Sequence, residues 1–303
     1  MTSSRPENVP SPAGADQTSS VGDFWALLKP KVMSLVVFSG FAGYWLAPGR
    51  EALHPVLATI GIFALALGAG AAGAFNMWYD RDIDAVMKRT QGRPLPLGRI
   101  LPDDALGFAI FATVFAVMLM GLTTNWAAAA LLLFATVFYV VIYTMWLKRR
   151  TSQNIVIGGA AGAFPPMIGW AMVTGDVSLA SLILFLIIFL WTPPHFWALA
   201  LFANEDYKRA GVPMLPVVAG PQATKRQMLL YTILLFPVAI LPSFIGLTGL
   251  AYGIGAAIAG GLFIYAAVMV MREQAGFAAA RRMFGYSVLY LFALFLGMML
   301  DKT

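Results

Sequence analysis

The 303-residue chain has no cysteine and only two histidines. Without cysteine there can be no thiolate metal site, thiol nucleophile or disulfide framework. Charge is scarce as well. Asp, Glu, Lys and Arg make up 11% of the residues, against roughly 25% in an ordinary soluble domain. So few charges could not cover the surface of a soluble protein of this length. What the chain has instead is apolar mass: 60% hydrophobic residues, a mean hydropathy of +0.78 and long uncharged runs. This composition predicts an all-α polytopic membrane protein whose first partner is the lipid bilayer. The formal charge of +6 sits in the connections between runs, so its placement informs more than its sum, and no nucleic-acid partner is implied.

Nine apolar runs are long enough to cross a hydrocarbon core of about 30 Å. They cover 30–47, 54–75, 104–123, 127–147, 154–174, 178–200, 227–248, 251–271 and 283–300. The Ser-, Pro- and Gly-rich stretch 1–23 holds no apolar run and reads as a disordered cytoplasmic tail, with neither a secretory signal nor a transit peptide, ahead of a single domain over 24–303. Alternate connections carry 18 of the 20 Lys and Arg residues, leaving only Arg50 and Lys302 for the other side. The positive-inside rule then places the N-terminus in the cytoplasm and the C-terminus outside. The two long connections, 76–103 and 201–226, share the basic side, where function is expected. Each follows an even-numbered span, four spans apart, and each ends in a Pro-bracketed turn, which suggests a four-helix unit used twice.

The first of these connections opens Asn76-Met-Trp-Tyr-Asp80-Arg81-Asp82-Ile-Asp84. On a continuing helix, positions four apart advance about 40° around the axis. Asn76, Asp80 and Asp84 would then form one oxygen-rich stripe, with Asp82 on roughly the opposite side. Hard oxygen ligands on a partly open site suit Mg²⁺, which commonly keeps one or two carboxylates, waters and a substrate phosphate. Lys88, Arg89 and Arg93 follow, the bases a diphosphate needs for charge neutralisation and bidentate contact. The bland reading is a solvated acidic helix end with topogenic bases behind it. The second connection repeats the order of acids, bases and prolines in Asn204-Glu205-Asp206-Tyr207-Lys208-Arg209 and Pro213-Met-Leu-Pro216. Two acidic clusters on one face could hold two Mg²⁺ ions on one diphosphate.

His195 follows Pro193-Pro194 among Trp191, Phe196 and Trp197. Prolines there free backbone carbonyls, which is tolerated where a helix lines a cavity. An imidazole in this setting could contact a ligand bound in the cavity, or simply satisfy a broken helix. Lys148, Arg149 and Arg150 end the fourth span, with Tyr143 about one turn inside. They read equally well as anion contacts and as a stop signal. Small residues in Gly158-Gly159-Ala-Ala-Gly162 indicate close helix packing.

Asn76-x3-Asp80-x3-Asp84 resembles the first metal-binding motif of the intramembrane, UbiA-type prenyltransferase superfamily. The longer strings Asn76 to Pro96, Tyr143 to Thr151 with Asn154-Ile-Val-Ile-Gly-Gly, Thr192-Pro-Pro-His195-Phe-Trp197, and Asp206-Tyr207 with Gly211 to Pro216 resemble the haem O synthases, the protohaem IX farnesyltransferases. The similarity runs over roughly residues 24 to 300. It implies nine helices around a central cavity open to the cytoplasmic side, in a bacterial cytoplasmic membrane. It further implies Mg²⁺ as cofactor, with farnesyl diphosphate and haem B as substrates. Asn76, Asp80, Asp84 and Asp206 are the implied metal ligands. Asp80, Asp84, Arg89, Arg93, Lys148 and Arg149 are the implied catalytic groups, and Tyr143, Lys88, Lys208, Arg209 and His195 the implied substrate contacts. A haem A synthase or terminal oxidase assembly is the implied protein partner. One departure stands out: Ala210 occupies the position four after Asp206, where many quinone-type relatives carry a second Asp. Competing readings are a prenyltransferase for a quinone precursor or chlorophyll-type ring, a cation-coupled transporter, and an oxidase assembly scaffold. Transporters usually hold polar residues at the bilayer midplane, and these spans are nearly clean there.

Overall fold

In the computed structural model, residues 19–303 are described. The expected tail over 1–18 lies outside them. Residues 21–23, which composition assigned to that tail, belong to helix α1 (Val21–Leu27). Ser20 caps it, accepting from the Asp23 amide while the Asp23 carboxylate accepts from the Ser20 amide. That reciprocal pair satisfies two otherwise orphaned donors and fixes the helix start.

Among the described residues eight helices are long and apolar enough to cross a membrane, and α1 with α2 (Pro30–Leu46), bent by 54° between them, makes a ninth where the pair is counted as one broken span. The others are α3 (Pro55–Tyr79), α5 (Pro102–Thr123), α6 (Trp126–Val137, continued as a π-helix over Phe138–Leu147), α7 (Asn154–Thr174), α8 (Leu179–Phe202), α11 (Gly220–Phe244), α12 (Leu250–Arg272) and α13 (Ala278–Leu300). Three short helices, α4 (Arg81–Val86), α9 (Asn204–Arg209) and α10 (Leu215–Val218), lie in the two long connections. Among the described residues there is no strand, only an isolated bridge between Thr248 and Lys302.

The helices close on one another in sequence. α3 packs along α5, α6 along α5 and α7, α7 along α8, α8 along α11 and α13, and α13 along α12 and α2. The tightest crossing is between α2 and α7. A Cβ on Gly43 would fall 1.9 Å from the Pro166 carbonyl oxygen, and one on Gly169 would fall 1.9 Å from that of Gly40. Only glycine allows backbones so close, the usual device of helices that pack without a hydrophobic drive between them. α7 and α8 both continue through their paired prolines.

Side-chain contacts reproduce the charge alternation. At one end, Lys302 Nζ donates to the Trp45 and Ala47 carbonyls, Asp301 accepts from the Tyr252 amide, and Thr303 reaches Gly246. At the other end the two long connections dock on each other. Ile83 and Met87 from the first pack with Tyr207, Val212 and Met214 from the second, over Ile155. Each connection begins the same way: a long helix stops at a residue with nearly identical torsions (Asp80 φ −88°, ψ 9°; Ala203 φ −103°, ψ 15°) and a six-residue helix follows. The sequence echo is therefore a conformational echo as well.

Candidate active site

A cavity of about 610 Å³ lies inside the bundle, at the end where the long connections dock. That volume falls within the range of about 300–1,000 Å³ typical of small-molecule sites. Asn76, Asp84, Arg89, Arg93, Lys148, Tyr143 and His195 all line it, so seven of the expected site residues share one space. Deeper in, its walls are apolar, with Leu65, Leu132, Ala135, Ile168 and Ile188.

The acidic stripe survives the end of α3. The Asp80 amide donates to the Asn76 carbonyl (3.0 Å) and the Asp84 amide to that of Asp80 (2.8 Å), so α-type bonding runs through the break. Asp84 is 2% exposed and accepts from Arg93 Nη1 at 2.5 Å. Asp80 is fully buried, with Asn76 Nδ2 donating to it at 2.6 Å and Lys148 Nζ paired to the same oxygen. It lies behind the cavity wall formed by Asn76 and Lys148. Asn76 is itself over-determined: Lys29 Nζ donates to its Oδ1 at 2.6 Å, and its amide also reaches Thr144 Oγ1 at 3.2 Å.

Asp82 points away from the stripe, as expected, and holds Arg149 in a two-pronged pair at 2.6 and 2.7 Å. The Arg149 guanidinium keeps the Asp82 carboxyl below its ordinary range, and Asp82 in turn raises Arg149. Arg149 also lies over the Tyr79 ring at 4.9 Å and donates to the Tyr79 carbonyl. It fastens α4 to the end of the π-helix and takes no part in lining the cavity, which departs from the expected catalytic role. Lys88, Lys208 and Arg209 are exposed and likewise absent from the wall. Asp206, the expected second metal ligand, is paired with Arg209 three residues along its own helix. From that connection the cavity receives Tyr207 and Met214 instead.

Four contributors were not expected from sequence. Lys29 and Lys31 line the cavity. Lys29 is the one non-glycine residue with positive φ among the described residues (φ 53°, ψ 57°), placed at the bend between α1 and α2. A left-handed conformation costs a side-chain-bearing residue roughly 1–2 kcal/mol, and such strain gathers at functional sites. Tyr139 joins Tyr143 on the wall, the two rings 5.3 Å apart. Both stand on the π-helix, where the Lys148 amide bonds the Tyr143 carbonyl five residues back. Wider turns of this kind align residues 143 and 148 on one side. Thr144, fully buried, is the fourth, through Asn76. Gly158 makes room for the aromatic wall, since a Cβ there would fall 2.0 Å from the Tyr143 ring.

The donor set fits a divalent cation in kind. Asn76 and Asp84 bring hard oxygens to the cavity, and cations ring them on the side where an anion would sit. Among the described residues no three His, Cys, Asp or Glu side chains gather as a ready metal cage. Mg²⁺ does not ask for one, because it typically completes its shell with water and substrate phosphate.

The family model for the UbiA prenyltransferase family matches residues 36–295. The protoheme IX farnesyltransferase of Rhizobium johnstonii is 56% identical over 287 residues, 94% of this chain and 90% of that one. That of Agrobacterium fabrum is 56% identical over 294 residues, 95% and 92% of the two chains. Among solved structures, a digeranylgeranylglyceryl phosphate synthase superposes with a TM-score of 0.77 at 20% identity, over 93% of this chain and 98% of the other. A UbiA homologue from Archaeoglobus fulgidus bound to DMAPP and Mg²⁺ gives 0.66 at 15% identity, over 91% and 99%. With most of its length inside the family match and more than half its residues shared with these farnesyltransferases, the chain belongs to the UbiA prenyltransferase family.

Proposed function

We propose that this chain transfers the farnesyl group of farnesyl diphosphate to a vinyl group of haem B, adding water to give the hydroxyethylfarnesyl side chain of haem O and releasing diphosphate. The observation that carries the reading is one cavity with two chemically different regions. Asn76, Asp84, Arg93, Lys148 and Lys29 supply its charged rim, and His195 stands within the same space among aromatic rings.

The rim binds the diphosphate. Bound Mg²⁺ would supply charge neutralisation there, held by Asn76 and Asp84, as the family resemblance and the Mg²⁺-bound neighbour support. Asp80 acts one layer back, orienting the Asn76 amide and the Lys148 ammonium. A second ion at Asp206 would have to displace Arg209 from it. Arg89, Arg93, Lys148 and Lys29 offset the charge that grows on the leaving group as the carbon–oxygen bond breaks. Stabilisation of this kind is typically worth a few kcal/mol per well-placed donor. The farnesyl cation left behind faces apolar walls that exclude stray water. The rings of Tyr139 and Tyr143 present π-faces that attract positive charge. The haem vinyl carbon then attacks, and water captures the cation formed beside the porphyrin ring, releasing one proton to solvent. No protein nucleophile takes part.

The test is to incubate the detergent-extracted protein with haem B, farnesyl diphosphate and Mg²⁺ and to look for the product by mass. Appearance of haem B plus one farnesyl and one hydroxyl group is expected. Its absence, or equal turnover of a quinone precursor, would remove the assignment. We further propose that the chain sits in a bacterial cytoplasmic membrane with the basic end inside and hands haem O to a haem A synthase or oxidase assembly. The cysteine-free sequence makes the orientation easy to test. Single Arg150→Cys and Glu51→Cys variants should react with impermeant maleimide from the cytoplasmic and outer faces respectively, and the reverse pattern would invert the topology.

A further inference from the structure

His195 is gripped more firmly than a cavity-lining side chain needs. Its ring is sandwiched between Trp191 (centroids 4.2 Å apart, planes 17° from parallel) and Phe284 (4.6 Å, 20°). Its Nδ1 lies 2.7 Å from the Oγ of Ser287, a fully buried residue on α13. The same hydroxyl lies 2.6 Å from the Phe284 carbonyl oxygen, to which it can only donate. A hydroxyl has one proton. With that proton committed to Phe284, Ser287 Oγ can only accept from the imidazole, so Nδ1 carries the hydrogen. In the neutral ring, Nε2 is then a bare lone pair. Among the described residues Nε2 makes no hydrogen bond and is not one of the sealed polar atoms, while the residue itself borders the cavity. The Trp191 indole donates to the Ser287 carbonyl at 2.8 Å, which locks α8 to α13 at this point.

We propose that Ser287 is a positioning residue that fixes His195 in the Nδ1–H tautomer, so that Nε2 serves as an axial ligand to the iron of the haem substrate. Metal-bound histidines commonly donate their other ring N–H to an oxygen acceptor that sets tautomer and ring orientation, and loss of such a partner typically costs about 10–100-fold in affinity. The opposite polarity, with Ser287 donating to Nδ1, would leave an Nε2–H able only to donate, for example to a propionate. The inference rests on the haem-transferase reading for the identity of the ligand.

The experiment is a titration of the full-length, detergent-solubilised protein with ferric haem B, followed by optical absorption and electron paramagnetic resonance. Wild type should show a nitrogen-ligated haem. His195→Ala should lose that signature and regain it with added imidazole, which shows that the chamber still takes haem. Ser287→Ala should weaken the nitrogen-ligated complex by about tenfold or more, and Ser287→Thr, which keeps the hydroxyl, should restore it. If Ser287→Ala does not fold, the His195→Ala and imidazole pair still decides whether the iron is ligated, and Ser287→Thr whether the hydroxyl suffices. A wild-type complex without nitrogen ligation, a signature unchanged in His195→Ala, or Ser287→Ala indistinguishable from wild type would overturn the proposal. The titration uses no farnesyl diphosphate and no turnover. Haem ligation without product would sink the functional reading alone, and product without haem ligation would sink this inference alone.

Discussion

Arg93 Nη1 and Asp84 Oδ2 lie 2.5 Å apart on the wall of the cavity, the carboxylate almost wholly buried and the guanidinium partly exposed. Asp84 is thus paired with a cation that also faces the space a diphosphate would fill. Asp84→Asn should lower turnover by about 10²-fold or more, the scale for losing one electrostatic contact to the reacting group. Asp82→Asn, two residues away and pointing outward, should stay within a few-fold of wild type. Steady-state rates of the two variants check this.

The Asp80–Lys148 pair is a different case, because the carboxylate is fully buried. Without Lys148 the buried Asp80 carboxylate keeps only Asn76 Nδ2 at 2.6 Å and Arg149 Nη2 at 3.5 Å, and breaking a buried pair typically costs about 3–5 kcal/mol. Lys148→Ala should lose stability on that scale along with activity. Asp80→Asn combined with Lys148→Ala should recover a large part of the stability and none of the activity. Thermal or denaturant unfolding of the four proteins in detergent gives the coupling.

At Lys29 backbone and side chain make opposite demands, and two substitutions separate them. Lys29→Gly relieves the left-handed strain at φ 53° but removes the ammonium from Asn76. It should be at least as stable as Lys29→Ala while both turn over slowly. Equal activity of Lys29→Gly and wild type would show that the residue only shapes the bend.

Gly158→Ala should act through Tyr143. The added methyl would meet the ring at 2.0 Å and push it off the wall. Insertion and monodispersity should be kept while turnover falls, and Tyr143→Ala combined with Gly158→Ala should be no worse than Tyr143→Ala alone.

The membrane-crossing runs were legible because a bilayer demands about twenty apolar residues at a time, and the alternation of basic connections brought the two long ones to the same end of the bundle, where they dock. The stripe Asn76, Asp80 and Asp84 was legible because α-type bonding runs on through the end of α3, and the outward turn of Asp82 followed from the same geometry. What stayed hidden had other causes. Ser20 and Asp23 form a capping box that marks the start of α1, a short signal lost among the serines and prolines before it. The π-helix at 138–147 has the same apolar, aromatic composition as an α-helix, so nothing local distinguishes the two. Lys29 and Lys31 belong to no motif, and it is the bend after α1 that carries them to the cavity. Arg149 and Arg209 were drawn from sequence toward the substrate, yet nearby carboxylates, Asp82 and Asp206, take them up. Ser287 stands 92 residues from the histidine it touches, a distance no motif spans.

The central claim is that Asn76 and Asp84 hold the diphosphate through a divalent ion. Its most direct test is electron–nuclear double resonance on protein loaded with Mn²⁺ in place of Mg²⁺ and an unreactive farnesyl thiodiphosphate. Phosphorus couplings to the bound ion should be present in wild type and Asp82→Asn and lost in Asp84→Asn. Couplings that persist undiminished in Asp84→Asn, or a bound ion with none in wild type, would contradict the account.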